Sequence, residues 1–307
     1  MLSGFPQWQT LRLAWSRLIH PCPVLVTIAD GSLVFCWRSG GGWLFRSASL
    51  SVGACRDGFP QQQEAIAELI ADLLFDLELP GAELVLCLPP AAAHWRVIDG
   101  MQEEHWDNNG LCRDSLVSID LPFNLEKSYL LSTAIQNSTA VAGVARVLLL
   151  AWIDVVETAD LPLRRISWSL LDAHRALIQI TQDWSGDLAW FLLHDGSARL
   201  VLMRDRTPEL DVVLSSTQPD IACTEIRASV RAWQQTHGAI RSLGWWFTLE
   251  DAEQSGWHQI VDVEAGEQVL NTSLRWSPEP WGDVDAPNAL PPLVHLALMT
   301  LHQEESW

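Results

Sequence analysis

Lysine is almost missing from this chain: Lys127 is its one lysine, and the other basic residues are arginines. Basic residues are few altogether, 19 against 38 acidic ones, for a formal net charge of −19. A surface of that sign repels phosphate backbones, which argues against nucleic acid as a partner. The cysteines Cys22, Cys36, Cys55, Cys87, Cys112 and Cys223 form no Cys-x-x-Cys pair and no regular spacing. Several stand in apolar strands, where cysteine acts as a small hydrophobe, so they read as reduced thiols of a cytosolic protein. The histidines are equally scattered, without the spacing of a metal site. No uncharged apolar run reaches the roughly 18 residues of a membrane span, and residues 1–20 lack a signal peptide's apolar core. The expectation is a soluble chain. Gly-x-Ser-x-Gly and Walker-type loops are absent, and no pair of carboxylates is placed for acid–base work. Neither catalytic nor metal-binding residues are expected.

What is present is apolar and patterned. Hydrophobic residues make up 48% of the 307 residues, enough for one large or two ordinary domains. The run from Val24 to Trp37 reads as a buried strand, an Asp30-Gly31 turn followed by Ser32, and a second strand. Asp-Gly between two apolar runs predicts a type I′ hairpin, because Gly tolerates the positive φ that turn needs. The construction returns from Leu188 to Met203, with Asp195, Gly196 and Ser197 at the turn. Each hairpin is followed by a strand, an amphipathic helix and another strand, which suggests a duplicated fold.

Trp8, Leu11, Trp15, Leu18 and Ile19 share one helical face with Arg12 and Arg17 off it, and Pro21 ends that segment. Trp43 to Phe45 resumes a strand that residues 47–52 extend. Gln61 to Leu79 is the best helix, with Ile66, Leu69, Ile70, Leu73, Leu74 and Leu77 at helical spacing. Strands are expected over 83–88, 94–98, 129–135 and 139–142, and a loop or weak helix over 101–113. A helix is expected over 144–159, a strand over 164–168 and a helix over 169–180. The second half continues with a strand over 210–215, a helix over 221–238 stopped by Gly238, and strands over 240–247 and 259–263. Residues 276–292 read as a loop, and Pro291-Pro292 opens a last helix. Trp37, Trp152 and Trp190 stand at core positions. Trp106, Trp257, Trp276, Trp281 and Trp307 are candidates for partner contacts. His94 and His194 read as structural.

Strand–hairpin–strand–helix–strand occurring twice, with a closing helix, is the layout of the actin-like ATPase superfamily. The order Asp57-Gly58-Phe59, long helix, Ala82 to Pro89 and His94 to Ile98 resembles the PilM family of type IV pilus assembly proteins. Leu121-Pro122-Phe123 is similar to that family's Ile-Pro-Phe-Pro knot. Residues 139–142, 144–159, 165–168 and 293–301 resemble its later elements. The resemblance implies an α/β, two-lobed actin-like (duplicated RNase H-like) fold. The first lobe would span 1–182 with an inserted subdomain over about 83–160. The second lobe would span 183–307, with a helix over 291–303 returning to the first.

In that family the phosphate loops run Asp-x-Gly-x-Ser, the aspartate supporting Mg²⁺ and the Gly and Ser amides cradling phosphate. Here Ala29 and His194 stand where those aspartates belong, and the acid has slipped next to the glycine as Asp30 and Asp195. The adenosine turn falls near Gly244, followed by Trp245 and Trp246 instead of further glycines. The resemblance therefore places degenerate ATP loops at Asp30, Gly31, Ser32, Asp195, Gly196, Ser197 and Gly244. It implies a pseudo-ATPase: no cofactor is expected, with residual binding of ATP and Mg²⁺ left open. The implied work is scaffolding at the inner face of the inner membrane. The partner would be the cytoplasmic tail of a bitopic PilN-like protein, held in a groove beside the inserted subdomain and coupled to the pilus motor ATPases. Self-association stays open. Two alternatives remain: the cytoplasmic domain of the type II secretion protein GspL, a family that continues into a membrane helix where this chain ends at Trp307, and an actin-superfamily small-molecule kinase.

Overall fold

The computed structural model describes residues 22–39, 42–79, 81–99, 124–135, 138–236, 241–249, 256–263, 265–270 and 291–304. The first lobe is built on β1 (Cys22–Ile28), β2 (Ser32–Ser39), β3 (Gly42–Ser49), β6 (Ala82–Leu88) and β10 (Leu163–Trp168), in the order β10-β6-β1-β2-β3. β1 is antiparallel to β2 and parallel to β6. Its apolar run is continuous because both faces are buried. Val24, Val26 and Ile28 join the main core, while Leu25 joins a second cluster with Cys36, Val85 and Cys87. A small hairpin, β4 (Cys55–Arg56) and β5 (Phe59–Pro60), precedes helix α1 (Gln63–Asp76). α1 buries Ile66, Ile70 and Leu74 along one stripe, as its spacing predicts.

The second lobe repeats the strand order. β11 (Asp187–His194), β12 (Ser197–Arg204), β13 (Thr207–Val213), β14 (Leu243–Thr248) and β15 (Gln268–Val269) run β13-β12-β11-β14-β15. Helix α4 (Pro219–Thr236) covers the outer face, Ile226, Val230 and Trp233 packing in a cluster with Phe191, Trp245 and Phe247. Between the lobes lie α3 (Ser169–Ile180) and α5 (Pro292–Glu304), packed on each other. α5 shares Val294, Ala297 and Leu298 with the first sheet's second cluster and Leu293 and Leu296 with the core that holds Trp190, Met203 and Trp246. Leu170, Ala173 and Leu177 of α3 belong to that same core.

A separate antiparallel sheet, β7 (Ala93–Asp99), β8 (Ser128–Ile135) and β9 (Ser138–Ala145), is inserted between β6 and β10 in the order β7-β9-β8. β6 pairs with β1 in the first sheet, and α2 (Arg146–Thr158) packs beside α1, so the inserted sheet itself runs from Ala93 to Ala145.

Three expectations change. Residues 259–263 form no strand: His258–Ile260 is one helical turn, and the fifth strand is β15. Burial explains this, since Trp257 and Ile260 both turn into the outer core, at 2% and 1% exposure. Trp257 is thus no surface anchor; its ring lies 4.3 Å from that of Phe191. The third strand of the second lobe starts at Thr207, after a turn at Asp205-Arg206 with positive φ at both residues. The expectations over 1–21, 101–113 and 121–123, Gly238, the loop over 276–290, Trp106, Trp276, Trp281 and Trp307 lie outside the described residues.

Candidate functional site

The two hairpin turns meet. In the second lobe His194 and Ser197 close a two-residue turn, with φ of 51° at Asp195 and 71° at Gly196, the I′ geometry. In the first lobe Ala29 and Ser32 close the turn, but neither Asp30 nor Gly31 takes a positive φ. The expected I′ form is absent there because Asp30 is held from outside. Its backbone N–H donates to Asp195 Oδ2 at 2.6 Å. Its own carboxylate accepts from the N–H groups of Asp57, at 2.8 Å, and Gly58, at 3.0 Å.

Those donors form a third Asp-Gly turn, between β4 and β5, with φ of 50° and 75°. Gly58 is required twice over: its φ suits glycine, and a Cβ would stand 2.6 Å from Pro89 Cγ. Its carbonyl accepts from the buried Trp152 indole at 2.8 Å. Cys55 sits beside this joint, and burial, then the charge of Asp30, pushes its thiol up to about 12. It stays a neutral thiol at ordinary pH. Burial holds the His194 imidazole below its usual range despite Asp195, and does the same for His94, so both favour the neutral form.

Gly244 does not lie in a turn. It is the second residue of β14, where a Cβ would come 2.6 Å from Leu270 Cδ1 and 2.9 Å from Trp184 Cε2. Trp245 and Trp246, buried on opposite faces, fill the outer and inner cores. Trp245 also donates to Glu267 Oε2 at 2.8 Å. Against a nucleotide phosphate between the turns stands the Asp195 carboxylate, which already takes one of their amides. The Asp30 amide is engaged by a carboxylate, and the carboxylate of Asp30 by two amides. Among the described residues, no group of three or more His, Cys, Asp and Glu side chains is disposed to hold a metal ion.

A second polar joint ties the lobes. Arg199 forms a two-pronged pair with Asp211, Nε donating at 2.6 Å, and its Nη1 donates to the carbonyl of Pro90 at 3.1 Å. Trp95, on the inserted sheet, donates its indole N–H to Asp211 at 2.6 Å. Asp211 therefore holds both Arg199 and the inserted β7.

On the other side of the inserted sheet is a groove of about 630 Å³. The Phe59–Gln63 corner, residues 124–128 and the start of α2 line it. Phe59, Ala145, Val147, Leu150 and Ala151 line it together with the charged Glu126, Lys127, Arg146 and Asp154, and Val147 and Leu150 are 64% and 47% exposed. Tyr129 and Leu131 of β8 are exposed nearby, at 46% and 61%, and the Arg146 guanidinium lies over the Tyr129 ring. Sequence reasoning located the two hairpin turns and Trp152 as a core residue, but not Asp57 and Gly58 as the partner of those turns, nor the Arg199–Asp211 pair. An Asp-Gly turn signal was present at residue 57; the buried pair had none.

No family model and no curated protein matches this sequence. Solved structures do match the fold. A PilM–PilN type IV pilus biogenesis complex aligns over 91% of this chain and 98% of its own, with a TM-score of 0.63 and 14% identity. A Bacteroides thetaiotaomicron protein of actin-like ATPase fold and unknown function aligns over 84% and 93%, with a TM-score of 0.51 and 7% identity. The cytoplasmic domain of EpsL, an inner-membrane component of the type II secretion system of Vibrio cholerae, aligns over 93% and 96%, with a TM-score of 0.50 and 13% identity. At such identities the likeness is one of fold. The resemblance to PilM holds at that level, and the chain has the two-lobed actin-like ATPase fold.

Proposed function

We propose that this chain is a scaffold of a type IV pilus or related secretion machine that takes an extended apolar peptide into the groove beside its inserted sheet. The observation that carries the reading is the groove itself, with Val147 and Leu150 exposed on one wall. They stand three residues apart on one face of α2, with Tyr129 and Leu131 also exposed, and grouped apolar surface of this kind marks a contact site. The expected ligand is the cytoplasmic tail of a PilN-like inner-membrane protein, and through it the scaffold would couple to the motor ATPases at the cytoplasmic face. Among the described residues, no helix is long and apolar enough to cross a membrane. ATP turnover is not part of the proposed role. The capture of the Asp30 amide by the Asp195 carboxylate supports that, since stabilising charge on a phosphate needs amide donors free.

The test uses fluorescein-labelled synthetic tails of PilN-type proteins and the full chain, read by anisotropy. Binding is expected to saturate, and Leu150→Glu is expected to weaken it by about tenfold or more, the scale of a lost interface anchor. Equal affinity for the parent chain and the variant would overturn the groove as the docking site.

A further inference from the structure

We propose that Asp195 is an internal anion latch: its carboxylate, rather than a bound phosphate, joins the two hairpin turns, and this joint sets one wall of the groove. The link spans the molecule, since Asp195 Oδ2 accepts from the N–H of a residue 165 positions away. Asp30 passes it on, its two carboxylate oxygens accepting from Asp57 and Gly58. Every donor in this relay is a backbone amide in a tight turn, so no link is lost by a side-chain donor rotating away. Charge-assisted bonds of this kind are about twice as strong as neutral ones. They offset the repulsion of two nearby carboxylates.

The relay ends on the groove. The Gly58 carbonyl is held by the Trp152 indole, and the Pro89 ring closes off the other side of Gly58. Phe59, the next residue, lines the groove, as does Ala151, the neighbour of Trp152 on α2. Release of Asp195 would therefore loosen the Asp57-Gly58 turn and move the Phe59 wall. This last link rests on the docking reading of the groove; the latch itself does not.

Backbone hydrogen exchange on the full chain, without peptide, tests it. Asp195→Gly deletes the carboxylate while accepting the φ of 51° without strain. Asp195→Asn keeps an oxygen acceptor and also tolerates that φ. The Gly variant is expected to speed exchange at the amides of Asp30, Asp57 and Gly58 by about tenfold or more, the equivalent of losing a hydrogen bond to a charged group. Amides of β14 should stay as in the parent, and Asp195→Asn should fall between the two. Parent-like exchange at Asp57 and Gly58 in the Gly variant overturns the relay. A second measurement needs no variant: millimolar pyrophosphate or MgATP added to the parent chain is expected to leave exchange at Asp30, Asp57 and Gly58 unchanged. Slowing at those amides would show a phosphate reaching them and overturn the latch. Failure of the peptide experiment would leave these results untouched.

Discussion

The two lobes share a strand order and an Asp-Gly-Ser turn, yet they use that turn in different ways. Asp195 and Gly196 adopt the hairpin geometry that their residue types favour, and nothing lies within 4 Å of a Cβ built at Gly196. Asp30 and Gly31 do not, because three hydrogen bonds from other parts of the chain position Asp30. The lobes also differ in how they handle charge. The second lobe buries the pairs Arg199–Asp211, Arg204–Asp187 and Arg227–Glu267. In the first sheet and its small hairpin the ion pairs Arg164–Glu83 and Arg56–Asp57 are open to solvent. Among the described ion pairs, those with both partners largely buried thus belong to the second lobe, which also carries the exposed pair Arg241–Asp205.

The largest effect should come from breaking a buried joint. Asp211→Ala leaves Arg199 and the Trp95 indole without their acceptor and is expected to cost about 3–5 kcal/mol, measured by urea unfolding. Glu83→Ala, at the corresponding kind of pair in the first lobe, should change stability by less than about 1 kcal/mol. Equal effects would erase the distinction between the lobes.

Acid should act at the seam between them. His174, on α3, is buried edge-on to Trp95, and its Nε2 lies 3.2 Å from the Arg206 carbonyl, to which it donates as N–H. Burial, with Arg175 adding to it, lowers its pKa to about 4, although the Arg206 carbonyl opposes this. The unfolded chain, with an ordinary imidazole near 6.5, binds more protons between those values. Stability is therefore full above about pH 6.5 and is lost as pH falls toward 4, by about 3 kcal/mol. Comparing unfolding midpoints of the parent and His174→Gln at pH 7 and pH 4.5 isolates this share. The same slope in both would refute it.

The smallest effect separates the turns themselves. Gly196→Ala places a Cβ at φ of 71° and should cost about 1 kcal/mol. Gly31→Ala meets open space at an ordinary φ and should be neutral or stabilising by about 0.5 kcal/mol. Thermal midpoints of the two variants decide it.

Much of the fold was legible because its signals are local. The continuous apolar runs of β1 and β2, the stripe of Ile66, Ile70 and Leu74, and the Pro292 start of α5 each depend on residues within one or two turns of one another. Trp257 was misread because an aromatic in a polar stretch carries no mark of the Phe191 ring it packs on. Residues 259–263 were misread as a strand for the same reason: a short apolar run does not say whether it pairs or tucks into a core. A groove beside the inserted subdomain was expected only from the family resemblance, and no local signal marks the cavity seen here, since Phe59, Ser128 and Val147 are far apart along the chain.

By itself, the sequence determined the kind and order of the main strands and helices, the duplication, and the two turns that carry Asp30 and Asp195. Backbone preference and burial periodicity act over a few residues, and every such stretch holds its own evidence. Only the tertiary structure decided that one turn keeps its preferred φ and the other yields it, and that Asp211 joins Arg199 to the inserted sheet. At Gly244 the strand read from the sequence holds, against the turn that the resemblance implied. The two tertiary outcomes depend on partners separated by tens of residues or more along the chain, whose hydrogen bonds and packing outweigh a local preference of about 1 kcal/mol.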